Sequence, residues 1–452
     1  MALAACPAST TGDTKTAKQD AKKADAKTTD AKKSDAKKAD AKKDAKQDAK
    51  ADAKAEPKPE EPSEPVPELA PEVEQAVATS INAFAIDLHK QLGKEPGNVF
   101  VSPASIAVAF AMTHAGAKGD TADELAKTFH FPHSADLHTG FGGMLARWNA
   151  ASGGLELDVA NRLFGEKTVT FETAFVDLTK DTFRAPLEPV DFKTGSEPAR
   201  AHINAWVAEQ THDKIKDLLP QGGVNEATRL VLVNAIYFKA QWAERFHAFA
   251  THDEPFHGTA GDENVKMMNR IDDIRFFAAK EAKARLVDVP YTGSDYAMTV
   301  ILPDDVKGLP ALEKAITAEK LKQWIGAAKP ERVDLKLPRF RIEPGEAIAL
   351  KKTLQALGVV TAWDASKSDF TGMAPKSEQL MISEAYHKAF IAVDEAGTEA
   401  AAATAVSMKA GSAAPAEPPE QIDFFADHPF LFLVRDTKSG AILFMGRLVD
   451  PP

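Results

Sequence analysis

The chain has 452 residues, a formal net charge of -11 and a single cysteine, Cys6. The charge argues against a basic nucleic-acid surface, and one thiol excludes an intrachain disulfide. No run of about eighteen apolar residues offers a membrane-spanning helix.

The first 71 residues do not read as part of a core. Residues 12 to 60 are almost entirely Ala, Lys, Asp, Thr, Gln and Glu, with imperfect DAKK repeats, and no apolar residue larger than alanine occurs from Thr14 to Glu56. Nothing there offsets the entropy of ordering the chain, so a disordered tether is expected. EPKPEEPSEPVPELAPE follows as a spacer of polyproline type. Ahead of the tether, Leu3-Ala4-Ala5-Cys6 resembles the end of a bacterial lipoprotein signal, in which the cysteine sulfur carries the lipid. That reading expects a lipidated Cys6, a start lying further upstream, and a secreted or cell-surface protein; an incidental cysteine is the alternative.

The folded part is expected from residue 72 to 452, as one domain or, on size alone, two. Val73, Val77, Ile81, Phe84, Ala85 and Leu88 recur at helical spacing between Glu72 and Leu92, with Gly93 as the stop. NVFVSPASIAVAFAMTHAGA predicts a short strand, then a helix opened by Pro103 and apolar nearly all round, hence buried. Another helix start follows at Asp120 to Glu124. LELDVANRLFG predicts a strand, and residues 199–219 a helix broken by Pro220. RLVLVNAIYFKAQW is the longest strand signal, and Asn234 within it is a buried amide that must be satisfied.

Seven further strand signals follow from IRFFAA to AILFMGRLV, interrupted by the helix IALKKTLQALGV. The sum predicts an α+β fold built on large, largely antiparallel sheets.

Residues 395–412, EAGTEAAAATAVSMKAGS, are unusual. Ala400, Ala402, Thr404, Val406 and Met408 fall on one face of a period-two pattern, and a proline-bearing segment closes it. This is a loop able to become a strand, or else an alanine-rich linker or short helix.

Catalytic signatures are missing. There is no GxSxG elbow and no HExxH, and Gly116-Ala-Lys-Gly lacks the ending of a phosphate loop. His130, His133 and His138 have ligand-like spacing without a Cys or close Glu, and read as surface loop residues. No enzyme activity, metal or cofactor is expected.

Taken together, the segments resemble the serpin family of protease inhibitors. The pieces are Asn98-Val-Phe-Val-Ser-Pro-Ala-Ser105, Gly116-Ala-Lys-Gly-Asp-Thr121, Asn161-Arg-Leu-Phe-Gly165, Asn234-Ala-Ile-Tyr-Phe-Lys-Ala-Gln-Trp242, Leu337-Pro-Arg339, His387-Lys-Ala389, Asp394-Glu-Ala-Gly-Thr-Glu-Ala400, His428-Pro-Phe430 and Phe444-Met-Gly-Arg447 with Pro451. They run in family order.

The resemblance implies a serpin fold of three sheets and eight or nine helices, with an exposed reactive loop. A serine or cysteine protease cuts the loop and is trapped as an acyl-enzyme when the loop inserts into the main sheet. The partner is then a target protease, covalently held by a monomeric inhibitor, with membrane attachment only through Cys6. By the same resemblance Glu395, Gly397, Thr398, Glu399, Ala400, Ala401, Ala402, Ala403 and Thr404 form the hinge. Gly397 serves as pivot, Thr398 enters the sheet first, Ala400 and Ala402 follow, and Glu399 stays on the wet face.

Ser102, Ser105, Asn234 and His387 match a polar cluster beneath the sheet; the plain alternatives are serines that cap a helix and a surface histidine. Glu395 and Arg339 match an ion pair at the loop exit, with Trp242 nearby. Counting from Glu395 puts the scissile bond at Gly411-Ser412, with Ala410-Gly411 and Lys409-Ala410 as alternatives. The small residues favour an elastase-like or subtilisin-like target. A non-inhibitory member of the fold is the competing reading, and the hinge carries none of the bulky or proline residues such members usually show.

Overall fold

The structure is a computed structural model that describes residues 68–151, 155–343, 345–399 and 421–451, all in one compact unit. Cys6, the tether, Ala400 to Thr404 and the cleavage candidates Lys409, Ala410, Gly411 and Ser412 lie outside the described residues.

Helix α1 (Pro71–Leu92) starts with proline in its first turn, carries Glu72 and Glu74 where the helix dipole favours acids, and buries Val77, Ile81, Phe84 and Leu88. Strand β1 (Val99–Val101) leads into α2 (Pro103–Ala115), whose cap Ser102 accepts a hydrogen bond from the Ser105 N–H. Residues 103 to 113 of α2 are all buried, as its unbroken apolar surface requires. Next come α3 (Gly119–Thr128), α4 (Leu137–Asn149), β2 (Leu155–Glu166), α5 (Thr173–Asp181), β3 (Glu188–Val190), α6 (Phe192–Gln210) and β4 (Leu230–Gln241).

Two expectations need correction here. The helix expected over 199–219 begins earlier and ends at Gln210. It stops because Thr211 turns its hydroxyl onto its own backbone, donating to Val207 O at 2.8 Å and accepting the Ile215 N–H at 3.2 Å. His138 is not a surface loop residue: it sits half-buried on α4, 3.3 Å from His114.

The second half continues with β5 (His252–His257), β6 (Asp262–Ala279), β7 (Ala284–Pro290), β8 (Tyr296–Pro303), α7 (Leu309–Ala315), α8 (Ala318–Ala327), β9 (Lys329–Pro338), β10 (Phe340–Ile342), β11 (Ile348–Ala349) and α9 (Leu350–Leu357). It ends with β12 (Glu384–Ala389), β13 (Ile391–Val393), β14 (Gly397–Thr398), β15 (Ile422–Phe425), β16 (Phe430–Asp436) and β17 (Ile442–Leu448).

Hydrogen bonding joins these strands into a nine-stranded and an eight-stranded network. In the larger one, the long β6 pairs with β9 over Met267 to Phe276 and with β7 over Arg275 to Ala279, so different lengths of one strand carry its two neighbours. With nine α-helices among the described residues, the architecture is the α+β arrangement of the expected fold.

The eight-stranded network positions the site. Strands β2 and β4 run antiparallel over eleven residue pairs, from Leu155 opposite Ala240 to Gly165 opposite Leu230. Strand β12 lies parallel to β4 from Glu384 opposite Val231 to Ala389 opposite Ile236. One face of this sheet packs on α2 within the main core, while Val231, Val233 and Ala235 face a separate apolar cluster with Ile203 and Val207 of α6 and Ile215, Leu218 and Leu219 beyond it.

Candidate functional site

Above Ile236 and Ala389 the two strands part, and the chain's own hinge enters the gap. Gly397 stands opposite Gln241, and Thr398 stands between Ala240 of β4 and Val393 of β13, antiparallel to both. Thr398 is fully buried, and its hydroxyl lies 2.7 Å from the Tyr291 hydroxyl. Its side chain therefore enters the sheet interior without leaving its polar atom unpaired. A Cβ on Gly397 would lie 2.7 Å from Gln241 Cα, closer than real side chains approach backbone, so only glycine fits.

The turn that delivers these residues is built by Asp394. Its carboxylate accepts the N–H groups of Ala396 and Gly397 at 2.8 and 3.1 Å. Burial pushes the Asp394 carboxyl above its ordinary value, and those two hydrogen bonds oppose the rise. Trp242 braces the same turn, donating from its indole to Asp394 O at 2.9 Å while stacking on Tyr291 at 4.6 Å between centroids. Arg339 reaches both oxygens of Glu395, at 2.6 and 2.8 Å, and Thr251 donates to the first at 2.7 Å. Burial raises the Glu395 carboxyl, but the Arg339 and Thr251 hydrogen bonds outweigh it and hold the group below its ordinary value.

Glu399 departs from the expected wet-face position. Its side chain is only 13% exposed and is ion-paired with Lys214. Its backbone turns to a φ of 52°, which ends the strand there.

The polar cluster lies lower in the sheet, where β4 and β12 remain paired. Ser102, Ser105, Asn234 and His387 come together, and the structure adds Asn161, which the sequence reading left without a role. Asn161 and His387 flank Asn234 in register on β2 and β12. Asn234 donates to Ser105 Oγ at 2.6 Å and to Asn161 Oδ1 at 2.5 Å, and Ser105 Oγ donates to Asn161 Oδ1 at 3.0 Å. Ser102 both caps α2 and donates its hydroxyl to Leu443 O at 2.7 Å.

The His387 ring completes the network. Its Nε2 accepts the Ser102 backbone N–H at 3.0 Å, which leaves Nδ1 to donate to Asn234 Oδ1. Burial pushes this imidazole down to about 3, and the hydrogen bond it donates to Asn234 opposes the fall. The ring is thus neutral over the physiological range. The cluster clamps three strands to the start of α2, and nothing in it is arranged for nucleophilic or acid-base chemistry on a substrate.

The comparisons agree with this geometry. The family described as Serpin (serine protease inhibitor) matches residues 79–451. The leukocyte elastase inhibitor of Sus scrofa is 44% identical over 380 residues, covering 81% of this chain and 97% of that protein. The protein of the same name from Homo sapiens is 41% identical over 389 residues, covering 83% and 100%. Serpin B3 of Homo sapiens is 39% identical over 388 residues, covering 81% and 97%. Among solved structures, maspin superposes with a TM-score of 0.77 at 29% identity over 84% of this chain and 100% of that one. Uncleaved ovalbumin gives 0.74 at 28% identity over 83% and 100%. With the family matched over residues 79–451 and relatives above 40% identity aligned nearly end to end, the chain belongs to the serpin family.

Proposed function

We propose that this protein inhibits serine proteases by offering residues 400–420 as bait and inserting the cut loop between β4 and β12. The observation that carries this is the placement of Thr398 between β4 and β13, just beyond the end of the β4–β12 pairing, with Gly397 against β4 at a position no other residue is able to occupy. The hinge has its first inward side chain already housed, so insertion after cleavage extends an existing strand and needs no new nucleus.

An elastase-like target is supported by the relatives named leukocyte elastase inhibitor and by the small residues at Ala410 and Gly411. The lipidated Cys6 and a surface location, with the lysine-rich segment as tether, belong to the same proposal. Palmitate labelling of the protein expressed in a bacterial host, lost in Cys6→Ser, checks them.

The test is incubation with elastase-like, subtilisin-like and trypsin-like proteases. The expected result is an adduct stable to boiling in detergent, with mass spectrometry of the released peptide fixing the cut. Complete loop cleavage without adduct for every protease, and without any gain in heat resistance, overturns the proposal and favours a non-inhibitory role.

A further inference from the structure

Where β4 and β12 separate, one side chain spans the fork. The last direct pair is Ala389 with Ile236, and the hinge enters at Thr398 opposite Ala240. Between them Phe390 interrupts β12 and β13. Lys214 lies above this point, its ammonium 5.7 Å from the centroid of the Phe390 ring and ion-paired with Glu399.

Lys214 sits on a stiff support. The turn after α6 places His212 and Asp213 in left-handed conformations, and Ile215, one residue on, is buried with Val231, Val233 and Ala235 of the sheet. The His212 ring packs 4.8 Å from Tyr237 of β4 and bonds Asp158 of β2 at 3.1 Å. Lysine at 214 is therefore held to the outer face of β2 and β4, of which β4 is one of the two strands that must separate.

Glu399 is at the opposite end of the contact and is strained. Its N–H has joined the ladder, donating to Ala392 O at 2.8 Å, yet its φ of 52° is incompatible with continuing the strand. Its carboxylate faces the Tyr237 hydroxyl of β4, although Oε2 itself has no partner of full hydrogen-bond geometry. A left-handed glutamate persists only where its surroundings hold it, and here Lys214 supplies the one opposite charge on it.

We propose that Lys214 is a positioning residue that arrests the hinge after Thr398, by clamping Glu399 in this kink across the fork. Residue 399 must become extended before Ala400 can enter, so the Lys214–Glu399 contact in its present form is lost on insertion. A contact made in the starting state and absent further on slows the transition. This rests on the loop-insertion reading, and it adds a determinant outside the loop and outside the polar cluster.

The test uses intact protein without protease, and follows conversion to the heat-resistant, loop-inserted form on native gels at mildly elevated temperature. Lys214→Ala is expected to convert about fivefold faster than the parent, as loss of roughly one partly buried ion pair implies. Lys214→Arg is expected to keep the parental rate, and Lys214→Glu combined with Glu399→Lys to restore it. Since Lys214 is 40% exposed, truncation leaves no internal cavity, and the arginine variant serves as the folding control. A Lys214→Ala rate equal to or below the parental one, or a charge swap no slower than the single variants, overturns the proposal. If the rates follow the expected order but no protease forms an adduct, the inhibitor reading fails and the clamp stands. If no form ever becomes heat-resistant, even after loop cleavage, both fail.

Discussion

The hydroxyls of Tyr291 and Thr398 meet at 2.7 Å in a fully buried site at the top of the eight-stranded sheet. One belongs to the turn after β7 and the other to the hinge, 107 residues later. Burial raises the Tyr291 phenol well above its ordinary range, so the group stays a neutral donor or acceptor. Removing the phenol oxygen in Tyr291→Phe leaves the Thr398 hydroxyl buried and unpaired, a cost of about 1–3 kcal/mol. The expected outcome is a hinge that withdraws from the sheet, read as faster limited proteolysis around Gly397, with the stacked Trp242 ring reporting the change by fluorescence.

At Gly397 the constraint is steric. Gly397→Val places branched carbons against the backbone of Ala240 and Gln241 and blocks the strand position altogether. The variant is expected to be cut at the normal rate but to give mostly cleaved inhibitor in place of adduct. The ratio of inhibitor consumed to protease inhibited measures this; an unchanged ratio would show that the hinge enters the sheet by another route.

Acid should act through His387. Its imidazole is held at about 3, against an ordinary value of 6.5. Between those values the unfolded chain takes up a proton that the folded chain refuses. The stability contribution is complete above about pH 6.5 and is lost as pH falls toward 3, at no more than about 1.4 kcal/mol per pH unit. Protonation also turns Nε2 into a donor facing the Ser102 N–H, which breaks the tie between β12 and α2. Thermal midpoints across pH 4 to 8 should therefore drop on the acid side, and His387→Gln should flatten part of that slope.

Asn161 is expected to matter as much as Asn234. Its Oδ1 accepts from both Ser105 and Asn234, while its Nδ2 donates to Ser105 O at 3.1 Å. Asn161→Ala strands two donors in a dry site, at roughly 1–3 kcal/mol. Denaturant unfolding and the rate of spontaneous conversion both report it. Arg339→Ala, by contrast, breaks a pair whose arginine is about half exposed, and is expected to cost only about 0.5–1 kcal/mol.

Much of this site was legible because its residues break local rules. Asn234 stands out as an amide in an apolar strand, and Gly397-Thr398 as a pivot before small alternating residues. Asn161 went unassigned because LELDVANRLFG already alternates polar and apolar residues, so one more amide carries no signal. Helix α4 was missed because Gly140, Gly142 and Gly143 lower its propensity. The structure shows what they serve: side chains there would press on Val73, Val77, Leu69 and the backbone of Thr182. Lys214 and its partner Glu399 were invisible as a pair, because only the folded chain brings residues so distant in sequence to one fork.

The pairing of β12 with β4 carries a consequence of its own. These strands are parallel neighbours over six residue pairs, whereas β14 is antiparallel to both strands it touches. Each further residue that follows Thr398 would therefore exchange one parallel contact for two antiparallel ones, which are the better-aligned kind. The sheet as it stands is an unfinished weave with a missing thread, and the driving force for closure is distributed along the seam, while Ser102, Asn161, Asn234 and His387 are the stitches that keep it from running.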